Sequence, residues 1–280
     1  MPGPGSVVIP APPAGVLGRL GWAVADGLTV VRRNVAHLKH QPGELLAALI
    51  APAVMILLFG YVFGSAISVP GGGNYRAYLI PGLFAMTGFT SLMVTTENVA
   101  ADAENGVMDR FRSMPVARLA VPFGQTGYDL LMGAFALIVM TCCGLAVGWR
   151  IHNGPAHAIA AYALLILMQY AVLWAAVFLG LVVKSREIAD RLGPLVFPLT
   201  MLSNTFVPTN HMPAWLRVIA DWNPVSSIVA ACRDLFGNAV PAAGHLPLPL
   251  QHPVAASLTW SLLLLAVFMP LSVRRFRTRQ

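Results

Sequence analysis

Six apolar stretches dominate the sequence, and each approaches the length that a helix needs to cross a lipid bilayer. A spanning helix takes about 20 mostly apolar residues, because its backbone polar groups must be satisfied within the segment. The stretches cover approximately residues 44–67, 78–96, 127–149, 156–183, 192–207 and 254–273. They predict an all-α integral membrane protein with six transmembrane helices in a domain of residues 41–275.

The composition agrees with a membrane protein and argues against a soluble nucleic-acid-binding domain. Of the 280 residues, 57% are hydrophobic and 10% are charged, whereas soluble domains carry about a quarter charged residues. The net charge of +7 comes from basic residues that flank the apolar stretches. Because these residues do not form a soluble basic face, we expect membrane lipids and no nucleic acid as partners.

The Lys and Arg residues are distributed unevenly over the predicted loops. If both termini are cytoplasmic, the cytosolic segments contain 14 of the 18 basic residues. Cytoplasmic loops of membrane proteins carry such an excess. The other four are in the external segments: Arg76, Arg150, Arg217 and Arg233. The distribution favours six spans in the cell (plasma) membrane with both termini cytoplasmic.

Two segments precede the first span. Residues 1–13 are proline-rich and lack the basic start of a signal peptide, so we expect an uncleaved, disordered cytosolic tail. Residues 14–40 have apolar side chains at steps of three and four, with charged residues on the other faces. This pattern predicts an amphipathic interfacial helix on the inner membrane surface.

Residues 208–252, between the fifth and sixth spans, are too polar to span a membrane and too regular for a loose loop. The sequence Asn223-Pro224 is typical of a helix start. Trp215 and Trp222 favour the level of the lipid headgroups, and Arg217 and Asp221 have the i, i+4 spacing of a surface ion pair. We interpret this part as short re-entrant or interfacial helices and a linker. Pro194 and Pro198 in the fifth span would mark the entry to a broken segment.

The sequence has no recognisable catalytic or metal-binding motif. A nucleotide-binding P-loop requires Gly-Lys followed by Ser or Thr, and the only lysines, Lys39 and Lys184, follow Leu38 and Val183. The seven histidines show no metal-ligand pattern. We therefore expect no enzyme activity, no metal and no cofactor bound by this chain, so that a partner supplies any energy.

Asp129 is the clearest ionisable residue within a predicted span. Such residues are costly in a bilayer and are usually functional. It lies close to the cytosolic end of the third span, so it could instead be a hydrated boundary residue. As an intramembrane charge, it would fit a stand-alone, ion-coupled secondary transporter, which is the alternative to a partner-driven one.

A charged segment, ENGVMDRFRSMPVAR (residues 104–118), interrupts the apolar pattern within the predicted cytosolic loop 97–125. Its apolar side chains have helical spacing: Val107, Met108, Phe111 and Met114. Pro115 ends this helix, because the residue before proline is displaced from the α region. Apolar anchors on a short exposed helix are typical of docking into a partner's groove. A solvated helix that only connects two spans is the alternative.

This segment resembles the cytosolic motif of ABC-2 type transporter permeases, commonly written E-x-G-(T/x)-(L/M)-(D/E)-R-(L/F)-x-x-x-P. The matching positions are Glu104, Gly106, Met108, Asp109, Arg110, Phe111 and Pro115. The segment from Pro213 is similar to a second motif of the family, P-x-W-(L/I) followed by NP and an Arg. The matching positions are Pro213, Trp215, Leu216, Asn223, Pro224 and Arg233.

The resemblance implies the membrane subunit of an exporter, most similar to the daunorubicin-resistance type of drug and lipid exporters. Two such subunits, identical or different, would pair, and each would engage an ATP-binding cassette ATPase that binds ATP and Mg. The cargo would be a hydrophobic or amphipathic compound such as a drug, an antibiotic or a lipid. The coupling helix would contact the ATPase through Glu104, Gly106, Asp109, Arg110, Phe111, Arg112, Met114 and Pro115. Pro213, Trp215, Asn223, Pro224 and Arg233 would belong to the external re-entrant helices.

Overall fold

The computed structural model describes residues 43, 50, 53–62, 74–106, 120–183, 185–209, 212–238 and 247–278. Every regular element within these residues is helical, which confirms the all-α fold. The α-helices are α1 (Tyr75–Glu104), α2 (Ala120–Ala146), α3 (Gly154–Val182), α4 (Arg186–Met201), α5 (Ala214–Trp222), α6 (Pro224–Phe236), α7 (Leu248–Gln251) and α8 (Pro253–Thr278). A shorter apolar helical segment, Ala53–Val62, precedes them and ends in a π-helical turn.

Local sequence sets several helix ends. The Asn74 side chain accepts a hydrogen bond from the backbone N–H of Arg76 and caps the start of α1. Asn223 caps α6 in the same way, and Pro224 occupies the first turn, where a missing N–H costs nothing. The α6 helix ends at Gly237, whose φ of 75° favours glycine. The predicted helix start at Asn223-Pro224 is confirmed.

Four of the described helices are long and apolar enough to cross a membrane: α1, α2 from Phe123, α3, and α8 as far as Phe276. The predicted spans 78–96, 127–149, 156–183 and 254–273 each coincide largely with one of them. Of the first predicted span, 44–67, the structure describes a helix only over Ala53–Val62. The count of six spans therefore stays a prediction, and the predicted tail and interfacial helix, residues 1–40, lie outside the described residues.

The fifth predicted span differs from the structure. The helix there, α4, begins at Arg186, because the Ser185 side chain accepts a hydrogen bond from the N–H of Ile188 and caps the helix. It continues through both prolines and ends at Met201, so the backbone is not broken within it. Residues 202–207 are not helical, and their carbonyl groups instead accept hydrogen bonds from side chains of other elements.

The α3 helix is the centre of the bundle and packs most extensively against α8 and α1. The contact with α1 is close because Gly180 has no side chain. A Cβ atom there would lie 2.7 Å from Cβ of Val99 and 2.8 Å from the carbonyl oxygen of Thr96. At the other end of α3, four aromatic rings pack with contacting centroids 5.1 to 6.2 Å apart. They are Phe84, Trp149, Tyr162 and Phe236, and they join α1, α3 and α6.

Candidate functional site

The last residue of α1, Glu104, binds the start of α4. Its Oε2 atom accepts a hydrogen bond of 2.9 Å from the backbone N–H of Arg186, the first residue of α4. The first N–H groups of a helix have no partner within the helix, and the helix dipole favours negative charge there. A carboxylate therefore joins the end of α1, from which the predicted coupling helix continues, to α4.

The structure describes only part of the predicted coupling helix. Gly106 follows α1 in the left-handed region, at a φ of 66°, which explains why glycine fits there. The other predicted contact residues lie outside the described residues: Asp109, Arg110, Phe111, Arg112, Met114 and Pro115. Their contact with an ATPase stays a prediction.

The opposite end of α1 contains a cluster around Arg233, which we call the Arg233 cluster (Arg233, Tyr78, Asn204 and Thr205). Arg233 lies in α6 and is only 5% exposed. Its Nε donates to the carbonyl oxygen of Tyr78 at 2.8 Å, and its Nη2 donates to those of Asn204 and Thr205 at 2.9 and 3.0 Å. The guanidinium also lies over the Tyr78 ring, 3.5 Å from its centroid. One cation thus joins α6, α1 and the non-helical segment 202–207.

Three further side chains hold segment 202–207 in place. The Tyr78 hydroxyl donates to the carbonyl oxygen of Asn204 at 2.6 Å. Asn223, besides capping α6, donates from Nδ2 to the carbonyl oxygen of Leu202 at 2.8 Å. The Ser226 hydroxyl oxygen accepts from the N–H of Asn204. A buried backbone segment without helical hydrogen bonds is stable only when such partners are supplied.

The α5 helix contains Trp215 of the second motif together with Trp222, Arg217 and Asp221. Pro213 directly precedes α5, and Trp215 and Trp222 at the ends of α5 are 69% and 54% exposed. The predicted surface pair Arg217–Asp221 is wrong. Arg217 donates to the carbonyl oxygens of Thr209 and Met212, whereas Asp221 is turned inward and is 4% exposed.

Asp129 belongs to a buried polar cluster between α1, α2 and α3, which we call the Asp129 cluster (Asp129, Thr95, Gln125 and Gln169). Thr95 Oγ1 donates to Oδ2 of Asp129 at 2.7 Å, and Gln125 Nε2 lies 3.2 Å from both carboxylate oxygens. Gln169 Nε2 donates to the backbone oxygen of Asp129 at 3.4 Å. Asp129 is 9% exposed, and its carboxylate contacts α1 through Thr95.

Sequence reasoning did not assign roles to Tyr78, Thr95, Gln125 and Gln169. Gln169, the one amide in its apolar stretch, and the adjacent Thr95 and Thr96 could have indicated a polar contact within the membrane. Tyr78 carries no such signal, since its backbone oxygen is the acceptor for Arg233. Among the described residues, no group of three or more His, Cys, Asp or Glu side chains could hold a metal ion.

Comparison with known proteins gives a family. The sequence model described as "ABC-2 type transporter" matches residues 27–236. The daunorubicin resistance ABC transporter permease protein DrrB1 of Streptomyces coeruleorubidus is 31% identical over 258 residues, which are 92% of this chain and 88% of that protein. The doxorubicin resistance ABC transporter permease protein DrrB of Mycobacterium tuberculosis is 28% identical over 240 residues, 82% of each chain. The probable multidrug ABC transporter permease YbhR of Escherichia coli is 23% identical over 58% of this chain and 44% of its own length.

The match covers most of the chain and includes three of the four described helices that can cross a membrane, whereas the fourth, α8, lies outside it. The alignment with DrrB1 extends over nearly the whole length of both chains. This multi-pass membrane protein therefore belongs to the ABC-2 type transporter family.

Proposed function

We propose that the chain is the permease subunit of an ABC exporter whose energy comes from a separate ATP-binding subunit. ATP and Mg would bind that subunit, and a second permease chain, identical or different, would complete the pathway. The cargo is a hydrophobic or amphipathic compound, as the names of the drug-resistance relatives support. The chain would lie in the plasma membrane with both termini cytoplasmic.

The observation that carries the proposal is the hydrogen bond between Glu104 and the N–H of Arg186. It lies where the predicted coupling helix leaves α1. A force applied to the coupling helix by an ATPase would therefore act on two helices, α1 and α4, rather than on a loose loop.

The two helices carry this displacement to the other side of the membrane. The 30 residues of α1 correspond to a rod of roughly 45 Å, more than the thickness of the hydrocarbon core. The α4 helix packs along α1 and leads directly into segment 202–207. Because Tyr78 and Arg233 bind that segment, α1 and α4 are connected at both ends. A connection at both ends makes the pair move as one unit.

Co-purification tests the partnership. The chain is isolated from its native membrane, and its associated ATPase is identified and measured with and without the double change Phe111→Ala and Arg112→Glu. We expect the double variant to lose the ATPase, because it removes the apolar anchor and reverses a charge of the predicted contact. Arg150→Glu, a charge reversal at an exposed position near the opposite end of the bundle, is the control and should retain the ATPase.

Inside-out vesicles of the same membrane distinguish this proposal from the alternative, a stand-alone carrier. Transport into inside-out vesicles should require ATP and persist after ionophores collapse the ion gradients. Transport that continues without ATP and stops when the gradients are removed would contradict the proposal, as would a fully active complex in the double variant.

A further inference from the structure

The last helix, α8, continues beyond its apolar stretch into a basic end. It covers Pro253–Thr278 and closes with SVRRFRT, which contains three arginines and no acidic residue. Its 26 residues correspond to roughly 39 Å, whereas the hydrocarbon core of a bilayer is about 30 Å thick. Arg274 lies about 32 Å from Pro253 along the helix. The basic end therefore reaches the level of the lipid headgroups.

Two buried residues fix the orientation of this end. Ser272 and Phe276, one turn apart, are 0% and 4% exposed. The Ser272 hydroxyl donates to the carbonyl oxygen of Trp174 in α3 at 3.1 Å. Phe276 packs in an apolar cluster with Val99 of α1 and Leu181 of α3. The last turns of α8 are therefore held against the bundle, and the side chains of the other faces have defined directions.

Arg274 and Arg275 lie away from the buried face, and both are exposed. By helical geometry, Arg274 is on the side of α8 opposite Ser272. Val267 and Leu271, which are 43% and 37% exposed, share that side with Arg274 at the i, i+4 and i+7 positions. An exposed apolar side of a spanning helix faces the acyl chains of the bilayer. The two arginines thus continue a lipid-facing surface to the headgroup level.

Other exposed arginines of the chain use their guanidinium groups differently. Arg150 donates to the carbonyl oxygens of Leu145 and Trp149, and Arg217 donates to those of Thr209 and Met212. These two arginines fasten backbone turns of their own neighbourhood. The guanidinium groups of Arg274 and Arg275 stand on a regular helix, whose carbonyl groups are largely satisfied by helical hydrogen bonds. Their donors are therefore directed at the surroundings of α8.

We infer that Arg274 and Arg275 bind the phosphate of an anionic phospholipid, whose acyl chains lie along the apolar side of α8. A guanidinium presents two parallel N–H groups to phosphate oxygens, and basic residues beside a span attract anionic headgroups. A zwitterionic lipid is disfavoured because its own cationic group is repelled. The inference goes beyond the proposed function, since it requires only that the chain lies in a bilayer.

Native mass spectrometry of the purified full-length chain in a non-ionic detergent tests the site. The protein receives an equimolar mixture of phosphatidylglycerol and phosphatidylcholine with the same acyl chains, and the ratio of the two lipids is measured in the species that carries one lipid. The wild-type chain should favour phosphatidylglycerol. The double change Arg274→Gln and Arg275→Gln should lower the ratio at least about fivefold, which is the effect of one charge near a membrane surface.

Two matched variants separate this site from the overall charge of the chain. Arg150→Gln with Arg217→Gln removes the same number of charges from exposed arginines that donate to backbone oxygens, and it should leave the lipid ratio unchanged. Arg274→Lys with Arg275→Lys keeps both charges and should retain a preference for phosphatidylglycerol. Gel filtration and thermal unfolding establish that each variant is folded.

Four results would overturn the inference. They are a wild-type chain that binds both lipids equally, an unchanged ratio in the Gln variant of Arg274 and Arg275, an equal fall in the control pair, and a complete loss of preference in the Lys variant. The first needs no variant, so it remains decisive if a variant does not fold. A Gln variant that keeps its lipid ratio but loses a co-purifying ATPase would assign the two arginines to a protein partner instead. Because the measurement requires neither ATP nor a second subunit, its failure would leave the proposed function standing.

Discussion

Glu104 at the end of α1 accepts a hydrogen bond from the backbone N–H of Arg186, 82 residues later, at the start of α4. At the other end of the same two elements, the Tyr78 hydroxyl binds the carbonyl oxygen of Asn204, just after α4. The pair α1 and α4 is therefore connected at both ends by side chains of α1. This arrangement gives the predicted coupling helix a direct structural link to segment 202–207.

Changing Glu104 to Ala should uncouple the two helices without unfolding the protein. The lost helix-terminus contact contributes only about 0.3–1 kcal/mol at an exposed position, so the midpoint of thermal unfolding should change little. We expect transport by the complex to fall between about twofold and thirtyfold, which corresponds to coupling energies of about 0.5–2 kcal/mol between distant sites, while the ATPase still co-purifies. The measurement is ATP-dependent uptake into inside-out vesicles.

Glu187→Ala is the matched control for this change. Glu187 is also an exposed carboxylate close to the start of α4, and both side chains of its ion pair with Arg191 are about 75% exposed. Such pairs contribute little, so transport should remain at the wild-type level. Equal losses in the two variants would show that surface charge, rather than the link between α1 and α4, matters.

Removal of the Arg233 guanidinium should destabilise the chain strongly. Arg233→Met retains the volume but leaves three buried carbonyl oxygens without this donor, so we expect a loss of at least about 3 kcal/mol, the scale of hydrogen bonds to charged groups. Arg233→Lys keeps the charge but loses the planar fork, so it should destabilise the protein less than Arg233→Met does. The midpoint of thermal unfolding in detergent measures both effects.

Arg217→Lys is the corresponding control, because Arg217 is exposed although it too donates to backbone oxygens. Its unfolding midpoint should stay within a few degrees of wild type. A stable, wild-type-like Arg233→Met protein would mean that segment 202–207 does not depend on the Arg233 cluster.

The sequence was sufficient to locate α1, α2, α3 and α8, because hydropathy over about 20 residues is a local signal. It misplaced the fifth helix, since the first turns of α4, SREIADR, are polar and were assigned to a loop. The Ser185 cap was the local signal for the true start. Segment 202–207 appeared apolar enough to continue a span, but its backbone is bound by residues from α1 and α6 that no local pattern connects to it.

Some residues of the candidate site were predicted and their partners were not, for a similar reason. Glu104 and Arg233 were identified by motif, but their partners are backbone groups, and every residue offers a backbone group. These backbone partners, a donor for Glu104 and acceptors for Arg233, therefore could not be recognised from the sequence. The Asp129 cluster includes side chains that are far apart in the chain. Asp129 and Gln169 are 40 positions apart, and no local pattern indicates that the two meet.

Gly82→Ala should destabilise the protein, whereas Gly88→Ala, two turns further along α1, should not. A Cβ atom at Gly82 would lie 2.8 Å from Cγ2 and 3.1 Å from the carbonyl oxygen of Thr205. Overpacking of this kind costs about 1–3 kcal/mol. At Gly88 the nearest atom would be Cβ of Gln169 at 3.5 Å, an ordinary contact. Alanine favours the helix by about 0.5–1 kcal/mol over glycine, so Gly88→Ala should be neutral or stabilising.

Thermal unfolding of both glycine variants in the same detergent provides the comparison. The expected order of midpoints is Gly82→Ala below wild type and Gly88→Ala at or above it. If both midpoints fall equally, the close contact between Gly82 and Thr205 is not the cause of the destabilisation.

Trp215 and Trp222 should contact lipid near the headgroups. Both are exposed and, at i and i+7, lie on the same face of α5, whereas Asp221 is buried. The α5 helix is too short to cross a membrane. Exposed tryptophans with one apolar and one polar edge favour the membrane interface.

The chain is reconstituted with lipids brominated near the glycerol or near the methyl end of the acyl chains, and the quenching of tryptophan fluorescence is measured. We expect the glycerol-end lipids to quench more, and Trp215→Phe with Trp222→Phe to remove most of that difference. Trp174→Phe is the control, because Trp174 is fully buried and should contribute no quenching. Stronger quenching by the methyl-end lipids, or a difference that survives the double change, would place α5 away from the interface.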